Sequence, residues 1–183
     1  GAVVLRGTHH LRRRPSRRRT RARLGDRPRG EHRLPHVLDD VERFIADSDT
    51  YNRIANNYWP AALTLVGTAS DGLPRELTAG TNTIGLRLPD DEAVREFVRG
   101  CGGALTATSA NVSGQPPSRT AVEVQKYFPV GIDLIVDGGI VTATEPSTVV
   151  DLTTSPARLI REGAVSRVEL KDILGESGGM PPS

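Results

Sequence analysis

The chain has 183 residues, of which 37% are hydrophobic and only 4% aromatic, a length and composition that predict one domain with an aliphatic core. A single cysteine, Cys101, excludes an internal disulfide framework and a multi-cysteine zinc site, and we expect it to be structural. No apolar run approaches the roughly 20 residues that cross a bilayer, and no signal-peptide pattern is present, so we expect a cytoplasmic protein without a membrane partner.

The formal net charge of +2 conceals two parts of opposite composition. Eleven arginines and one aspartate fall in residues 1–30, which makes that segment about +10 and leaves the rest of the chain strongly acidic. All four histidines lie at or before residue 36, so the later part has none for acid–base chemistry. We interpret the segment first as a solvated basic arm. Binding of RNA phosphates, including those of double-stranded RNA, is the functional alternative.

Elements can be predicted in chain order around this arm. "GAVVL" at 1–5 is typical of a strand, and "HVLDDVERFIADSDTYNRIANNYW" predicts two short helices joined near "DSD". "LTLVGT" reads as a buried strand, "DGLP" as a turn and "TNTIGLRLP" as a strand that ends at Pro89. We expect Trp59 to pack in the core.

The second half alternates in the same way. "DDEAVREFVRGCGG" and "AVEVQKYF" predict helices, while "ALTATSA", "LIVDGG", "STVVDLTT" and "ARLIREG" predict extended segments. Strands alternating with helices indicate an α/β domain whose sheet is at least partly parallel. We place this domain at residues 34–174, after an atypical segment at 1–33 and before a tail at 175–183 that we expect to be disordered.

One loop concentrates small hydrogen-bonding groups. "TATSANVSG" at 106–114 follows a predicted strand, and ligands of open α/β sheets bind beyond the carboxyl ends of strands. Its hydroxyls, the Asn111 amide and the Gly114 backbone could cradle phosphate or carboxylate oxygens. The alternative is an ordinary turn in which these side chains satisfy their own backbone.

Two arginines and a serine extend this set. Arg87 lies inside an otherwise apolar strand, where an unpaired guanidinium would be costly to bury, so it requires an anionic partner. Asp90, Glu92 or a substrate would serve equally well. Arg161 invites the same argument, and Ser147 either begins a strand or offers its hydroxyl to a ligand.

Taken together, the motifs "WPAALTLV", "LRLP", "TSANVSG" followed by "PPS", "DGG", "STVVDL" and "LIREG" resemble the series found in the YrdC family. The resemblance covers roughly residues 34–170. It implies a single α/β domain with a twisted, mixed or partly parallel sheet and flanking helices around a deep cleft. The best-known members are threonylcarbamoyl-AMP synthases, nucleotidyltransferases that use ATP, L-threonine and bicarbonate. They supply the machinery that makes N6-threonylcarbamoyladenosine in tRNA.

Carried over position by position, the resemblance implies two sets of contacts. Residues that would contact ATP are Thr83, Ser109, Asn111, Pro117 and Arg161. Residues that would contact L-threonine are Arg87, through the carboxylate, together with Ala107 and Ser147. It implies no covalent nucleophile and no protein metal site, only Mg²⁺ bridging the phosphates while the protein positions substrates and stabilises charge.

The family's front motifs, P-T-x-T-x-Y-G-L and K-x-R-P, are absent as written. Arg27 and Pro28 are in register with the second motif, with Gly25 where its lysine belongs, so Arg27 is assigned to ATP. His32 or His36 would then face the threonine site. Because 22 arginines accompany only two lysines, which suggests GC-rich coding DNA, we hypothesise that residues 6 to about 30 are read from a shifted frame.

Two other functions stay open. One is a non-catalytic RNA-binding relative that uses the basic arm. The other is a carbamoyl-transfer module like the related domain of hydrogenase maturation proteins, which is disfavoured because no acylphosphatase-like or zinc-finger segment accompanies it.

Overall fold

A computed structural model describes residues 2–5, 41–107, 110–112, 114–143 and 145–176. The described residues divide into two compact units, one formed by 2–5 with the segment that ends at Thr142, the other by 41–107 with the segment from Ala143 onward. The strands are β1 Ala2–Leu5, β2 Leu63–Thr68, β3 Thr83–Leu86, β4 Leu134–Asp137, β5 Thr148–Asp151 and β6 Arg158–Arg161. The helices are α1 Ser48–Tyr58, α2 Arg75–Thr78, α3 Glu92–Gly100 and α4 Ala121–Tyr127, with a 3-10 turn at Val41–Arg43.

The first unit contains a two-stranded antiparallel sheet and a helix. β1 pairs with β4 from Ala2 opposite Asp137 to Leu5 opposite Leu134, so both predicted strands are confirmed. α4 begins at a capping box, because the Thr120 hydroxyl accepts from the Glu123 amide while the Glu123 carboxylate accepts from the Thr120 amide. The helix predicted there is therefore confirmed, with the N-terminal signal that its sequence carries.

The second unit is built on a four-stranded sheet in the order β3-β2-β5-β6. β2 and β5 are parallel, with Leu63 beside Thr148, whereas the β2–β3 and β5–β6 pairs are antiparallel. The prediction of a mixed, partly parallel sheet with flanking helices is thus confirmed.

One face of this sheet packs on the core. Leu63, Leu65 and Val150 are fully buried, and Tyr51 of α1 donates a 2.6 Å hydrogen bond from its hydroxyl to the Leu65 carbonyl. Burial raises the pKa of Tyr51, so this hydroxyl remains a protonated donor. Trp59 packs against the same cluster and donates through Nε1 to the Leu63 carbonyl at 2.9 Å, which confirms its predicted place in the core.

Several predicted elements differ in the structure. Residues 104–107 of "ALTATSA" form no strand, because none of them pairs with a strand in the described part of the chain, and strand propensity takes effect only beside such a partner. The first of the two helices predicted at 36–59 is only the turn Val41–Arg43 within the described residues. α2 was not predicted, since its four residues carry no periodic pattern.

The arginines of the basic arm and the tail from residue 177 lie outside the described residues, so the RNA-binding alternative also concerns residues that the structure does not describe. Within the described ranges, none of the helices has both the length and the apolar character that crossing a bilayer requires.

Candidate active site

The face of the four-stranded sheet that lies opposite the core carries polar side chains. Alternation along β2 turns Leu63 and Leu65 into the core and Thr64 to the other side. A Cβ on Gly85 would lie 3.2 Å from Thr64 Cγ2, so β3 presents Gly85 to this same face. Ser147, directly before β5, also belongs to it, because its Oγ lies 3.3 Å from Thr64 Oγ1. We call this surface the polar face.

Ser147 and Arg161 form the most closely connected pair of predicted residues on the polar face. Arg161 donates from Nε and Nη2 to the Ser147 carbonyl oxygen at 3.2 and 2.8 Å, and Nη2 lies 3.4 Å from Ser147 Oγ. These bonds fix the guanidinium on β6 against the start of β5. Arg161 is exposed and has no carboxylate partner among the described residues, so its positive charge is uncompensated there.

The loop after β6 is held from the core side by Thr148. The fully buried Oγ1 donates to the Val165 carbonyl at 2.6 Å and accepts from the Gly163 and Val165 amides at 2.9 and 3.0 Å. One hydroxyl therefore satisfies three backbone groups, and it anchors the segment that follows Arg161.

Arg87 follows the neighbouring edge strand, whereas the sequence predicted it inside that strand. β3 ends at Leu86, and Arg87 is exposed directly after it, although the Ala61 amide still donates to the Leu88 carbonyl at 3.1 Å. Nearby protein atoms still desolvate the guanidinium enough to lower its pKa from the ordinary value, although it remains a cation at neutral pH. Since Leu86 pairs with Leu65, Arg87 lies beside the level of Thr64.

The expected carboxylate partners of Arg87 are engaged elsewhere. Asp90 lies 3.8 Å from Arg95, and Glu92 accepts from Arg95 at 2.6 Å and also contacts Arg99. Arg87 has no ion pair or hydrogen bond from its side chain to any residue that the structure describes. Because Arg87 is exposed, its guanidinium does not need the anionic partner that burial in a strand would have required, and it is accessible to a ligand.

Asp151, the last residue of β5, belongs to an ion pair, in contrast to Arg87 and Arg161. It is buried, accepts from the Thr153 amide and hydroxyl at 3.0 and 2.6 Å, and pairs with Arg158 at 3.1 Å. Burial alone would raise the pKa of Asp151, but the bonds from Thr153 and Arg158 outweigh it and lower that pKa. Arg158 is thus neutralised by a carboxylate, whereas Arg87 and Arg161 are not.

Thr83 and Ala107 are less closely associated with these groups. Thr83 begins β3, about 13 Å from Arg87 at the usual rise of a strand, and its hydroxyl lies 2.9 Å from that of Thr81. Ala107 is exposed in the irregular segment 104–107.

The first unit carries Asn111 and Pro117. Asn111 Nδ2 donates to the carbonyls of Val112 and Gln115 at 3.2 and 2.6 Å, which closes its own loop, as the turn interpretation expected. Its Oδ1 is buried and accepts no hydrogen bond from the residues that the structure describes. The donor of this side chain is therefore engaged, and its acceptor is buried.

Pro117 lines an open cavity of about 340 Å³ within the same unit. The other lining residues are Pro116, Arg119, Glu123, Lys126 and Tyr127. Two cations against one carboxylate make this cavity net positive, which suits an anionic ligand.

Ser109, Arg27 and His32 lie outside the described residues, as does His36. In the ranges that are described, no group of three histidine, cysteine, aspartate or glutamate side chains could hold a metal ion.

The sequence reasoning missed Thr64 and Thr148 as parts of this arrangement. Thr64 is a polar residue inside the apolar run "LTLVG", the same signal that drew attention to Arg87 in "LRLP". Thr148 could not be separated from an ordinary turn hydroxyl, because the Gly163 and Val165 amides that it binds are distant in sequence.

These features define a mixed α/β domain in which one sheet face presents two uncompensated arginines and a pair of hydroxyls. The sequence model of the Sua5/YciO/YrdC family, described as "Telomere recombination", matches residues 33–163. The chain belongs to this family, as its motifs predicted. The polar-face residues Arg87, Ser147 and Arg161 lie within the match, whereas Arg27 and His32 lie before it.

Curated relatives carry a consistent name. The chain is 36% identical over 123 residues to a threonylcarbamoyl-AMP synthase of Pyrococcus abyssi, and the matched residues make up 67% of this chain and 36% of the relative. It is 35% identical over 118 residues to the threonylcarbamoyl-AMP synthase of Idiomarina loihiensis, which covers 64% and 61% respectively. The chain thus matches between about a third and three fifths of the length of these relatives, which belong to a transferase-type enzyme family.

A solved structure agrees with the fold. The crystal structure of P. abyssi Sua5 complexed with L-threonine superposes with a TM-score of 0.70 at 32% identity, over 75% of this chain and 41% of that one.

Proposed function

We propose that this chain is a threonylcarbamoyl-AMP synthase, which makes L-threonylcarbamoyladenylate and pyrophosphate from L-threonine, bicarbonate and ATP. The observation that carries the proposal is the placement of Arg87 and Arg161, which lack carboxylate partners among the described residues and lie at the strands on either side of the Thr64 and Ser147 hydroxyls. Two uncompensated guanidinium groups on one sheet face suit a pair of anionic substrates. The names of the relatives, and the L-threonine in complex with P. abyssi Sua5, support the same choice of substrates.

Arg87 binds the carboxylate of L-threonine in this proposal. A guanidinium presents parallel N–H groups that match the two oxygens of a carboxylate, and partial desolvation strengthens such a pair. Ser147 and the backbone at Ala107 contact the same amino acid, and His32 is assigned to it as well.

Arg161 contacts the nucleotide. Its Nε and Nη2 are held by the Ser147 carbonyl, which leaves Nη1 without a hydrogen bond to the described residues and available to a phosphate oxygen. Thr83, Ser109, Pro117 and Arg27 complete the proposed ATP contacts. The positive cavity beside Pro117 supports its assignment to an anionic ligand.

Mg²⁺ enters with the nucleotide as part of the ATP substrate. Asn111 is assigned to the ATP phosphates as well. Because its Nδ2 is engaged by carbonyls of its own loop and its Oδ1 is buried, this contact requires the side chain to leave its present hydrogen bonds. The ion supplies charge neutralisation of the phosphates.

The chemistry needs no nucleophile from the protein. The amino group of L-threonine takes up the carbon of bicarbonate as a carbamate with loss of water, and a carbamate oxygen displaces pyrophosphate from the α-phosphorus of ATP. The side chains proposed here hold the two substrates together and offset the negative charge that gathers on the phosphates. We propose a cytoplasmic location and delivery of the product to the machinery that makes N6-threonylcarbamoyladenosine in tRNA.

The experiment is pyrophosphate release from ATP by the whole chain, with L-threonine and bicarbonate each present or withheld. Release that requires both substrates supports the proposal. Arg87→Gln should lose the pyrophosphate release that requires threonine, while Arg99→Gln, which alters an exposed ion pair on α3, should behave as the parent chain.

A folded protein that releases no pyrophosphate, or releases it without threonine, would contradict the synthase. The basic composition of residues 1–30 favours one other function, non-catalytic RNA binding. In that case tRNA binding should weaken steeply with salt, survive Ser109→Ala and disappear on deletion of residues 1–30.

A further inference from the structure

A hydroxyl at the centre of the polar face has no role in the synthase site proposed above. Thr64 is half-buried on β2, between β3, which leads to Arg87, and β5, which follows Ser147. Its Cγ2 methyl faces Gly85, where a Cβ would lie at 3.2 Å, and its Oγ1 faces Ser147 Oγ at 3.3 Å. Neighbours on both sides therefore fix the rotamer of this side chain.

The direction of the hydrogen bonds decides which hydroxyl proton is available. A guanidinium can only donate, so the 3.4 Å contact from Arg161 Nη2 makes Ser147 Oγ an acceptor. A hydroxyl polarised in this way becomes a better donor, which favours Ser147 donating onward to Thr64. The chain of donors then runs from Arg161 through Ser147 to Thr64, whose own proton is left for a ligand.

We infer that Thr64 is a further substrate-binding residue, which donates its hydroxyl to the carboxylate that Arg87 binds. Arg87 directly follows the adjacent strand at the level of Thr64, because Leu86 pairs with Leu65 and the Ala61 amide donates to the Leu88 carbonyl at 3.1 Å. The two backbones are therefore about 5 Å apart, so one carboxylate can accept from both side chains. Gly85 leaves the neighbouring surface without a side chain, which keeps the approach to Thr64 open. This inference rests on the proposed function, because it assigns the ligand as the amino-acid substrate.

Calorimetric binding of L-threonine tests the inference in the parent chain and in matched variants. Thr64→Val keeps the branched shape and removes the donor, so affinity should fall roughly tenfold or more, as expected for a hydrogen bond to a charged group. Thr64→Ser restores the hydroxyl and should recover most of the binding. Thr154→Val removes another threonine hydroxyl bond, the 3.0 Å contact with the Pro156 carbonyl, and should leave affinity unchanged.

1-Amino-2-propanol, which lacks the whole carboxyl group of L-threonine, distinguishes this contact from a structural role. Because it has no carboxylate oxygen that could accept from Thr64, the Thr64→Val variant and the parent chain should bind it equally weakly. An equal loss for L-threonine and this analogue, or the same loss in Thr64→Ser, would overturn the role of Thr64.

The outcomes also separate this inference from the proposed function. If the parent binds L-threonine and Arg87→Gln weakens it, but Thr64→Val binds as the parent does, only the role of Thr64 fails. If the folded parent binds no L-threonine, the proposed function fails and the inference fails with it.

Discussion

Gly163 lies directly against Pro146, so close that a Cβ on Gly163 would stand 2.2 Å from the Pro146 carbonyl oxygen. The obstacle is backbone, which cannot rotate away as a flexible side chain can. The requirement for glycine here is one of space, because the loop after β6 must pass beside the segment that carries Ser147.

Gly163→Ala should therefore destabilise the fold and disturb the contact between Ser147 and Arg161. We expect a loss of roughly 2–4 kcal/mol in the free energy of unfolding, in the upper range of overpacking substitutions. Urea denaturation measures it. Gly100→Ala is the matched control, since a Cβ there would meet nothing within 4 Å at the end of α3, and it should be neutral or slightly stabilising.

Thr148→Val tests the anchor of the same loop. Valine preserves the buried shape but leaves the Gly163 amide and both backbone groups of Val165 without their partner, which should lower stability by about 1–3 kcal/mol. Thr148→Ser keeps the oxygen and should lose less. Thermal or urea unfolding would contradict this role if valine and serine proved equally stable.

The lowered pKa of Asp151 predicts that the free energy of unfolding decreases at low pH. Its pKa is lower in the folded protein than the ordinary value of 3.8, so the carboxylate stabilises the fold above that value. This contribution is lost as pH falls through 3.8 toward the folded pKa. Asp151→Asn should be less stable than the parent at pH 7 and should lose less on acidification, as urea midpoints at pH 7, 5 and 3 would show. Asp71→Asn, in an exposed turn, is the control and should follow the parent.

ATP binding should require the planar guanidinium of Arg161 and not only its positive charge. Arg161→Lys preserves the charge but cannot make both bonds to the Ser147 carbonyl, so we expect ATP affinity to fall about tenfold with little change in stability. Binding of ATP measured by calorimetry checks this expectation. An equal affinity in Arg161→Lys would show that charge alone suffices.

Local signals predicted helices α1, α3 and α4 and all six strands of the described residues. The acidic first turn of α3 and the glycines after it gave its bounds, and the Thr120 to Glu123 pair marks the start of α4. The strand predicted at "ALTATSA" was wrong, because a strand-like composition does not reveal whether a sheet edge is available beside it. α2 and the short 3-10 turn carry too few residues for any period to be read.

The site could be predicted as a set of residue types but not as a geometry. The sequence predicted an anionic partner for Arg87 because it placed the side chain inside a strand, whereas in the structure Arg87 is exposed and Asp90 and Glu92 contact Arg95 instead. Likewise, nothing local indicated that Thr64 lies beside Ser147. The pairing of β2 with β5 determines that contact.

That pairing also affects when the polar face can form. The Thr64 and Ser147 hydroxyls are 83 positions apart in sequence. Pairing of the parallel strands β2 and β5 must close this long loop, and the entropy cost of closure precedes the stabilising contacts. Helix α1 and the β2–β3 pair involve neighbouring segments and can form early. The surface assigned to the substrates is thus a late product of folding, and it requires synthesis of the chain through β6 before Arg161 can meet Ser147.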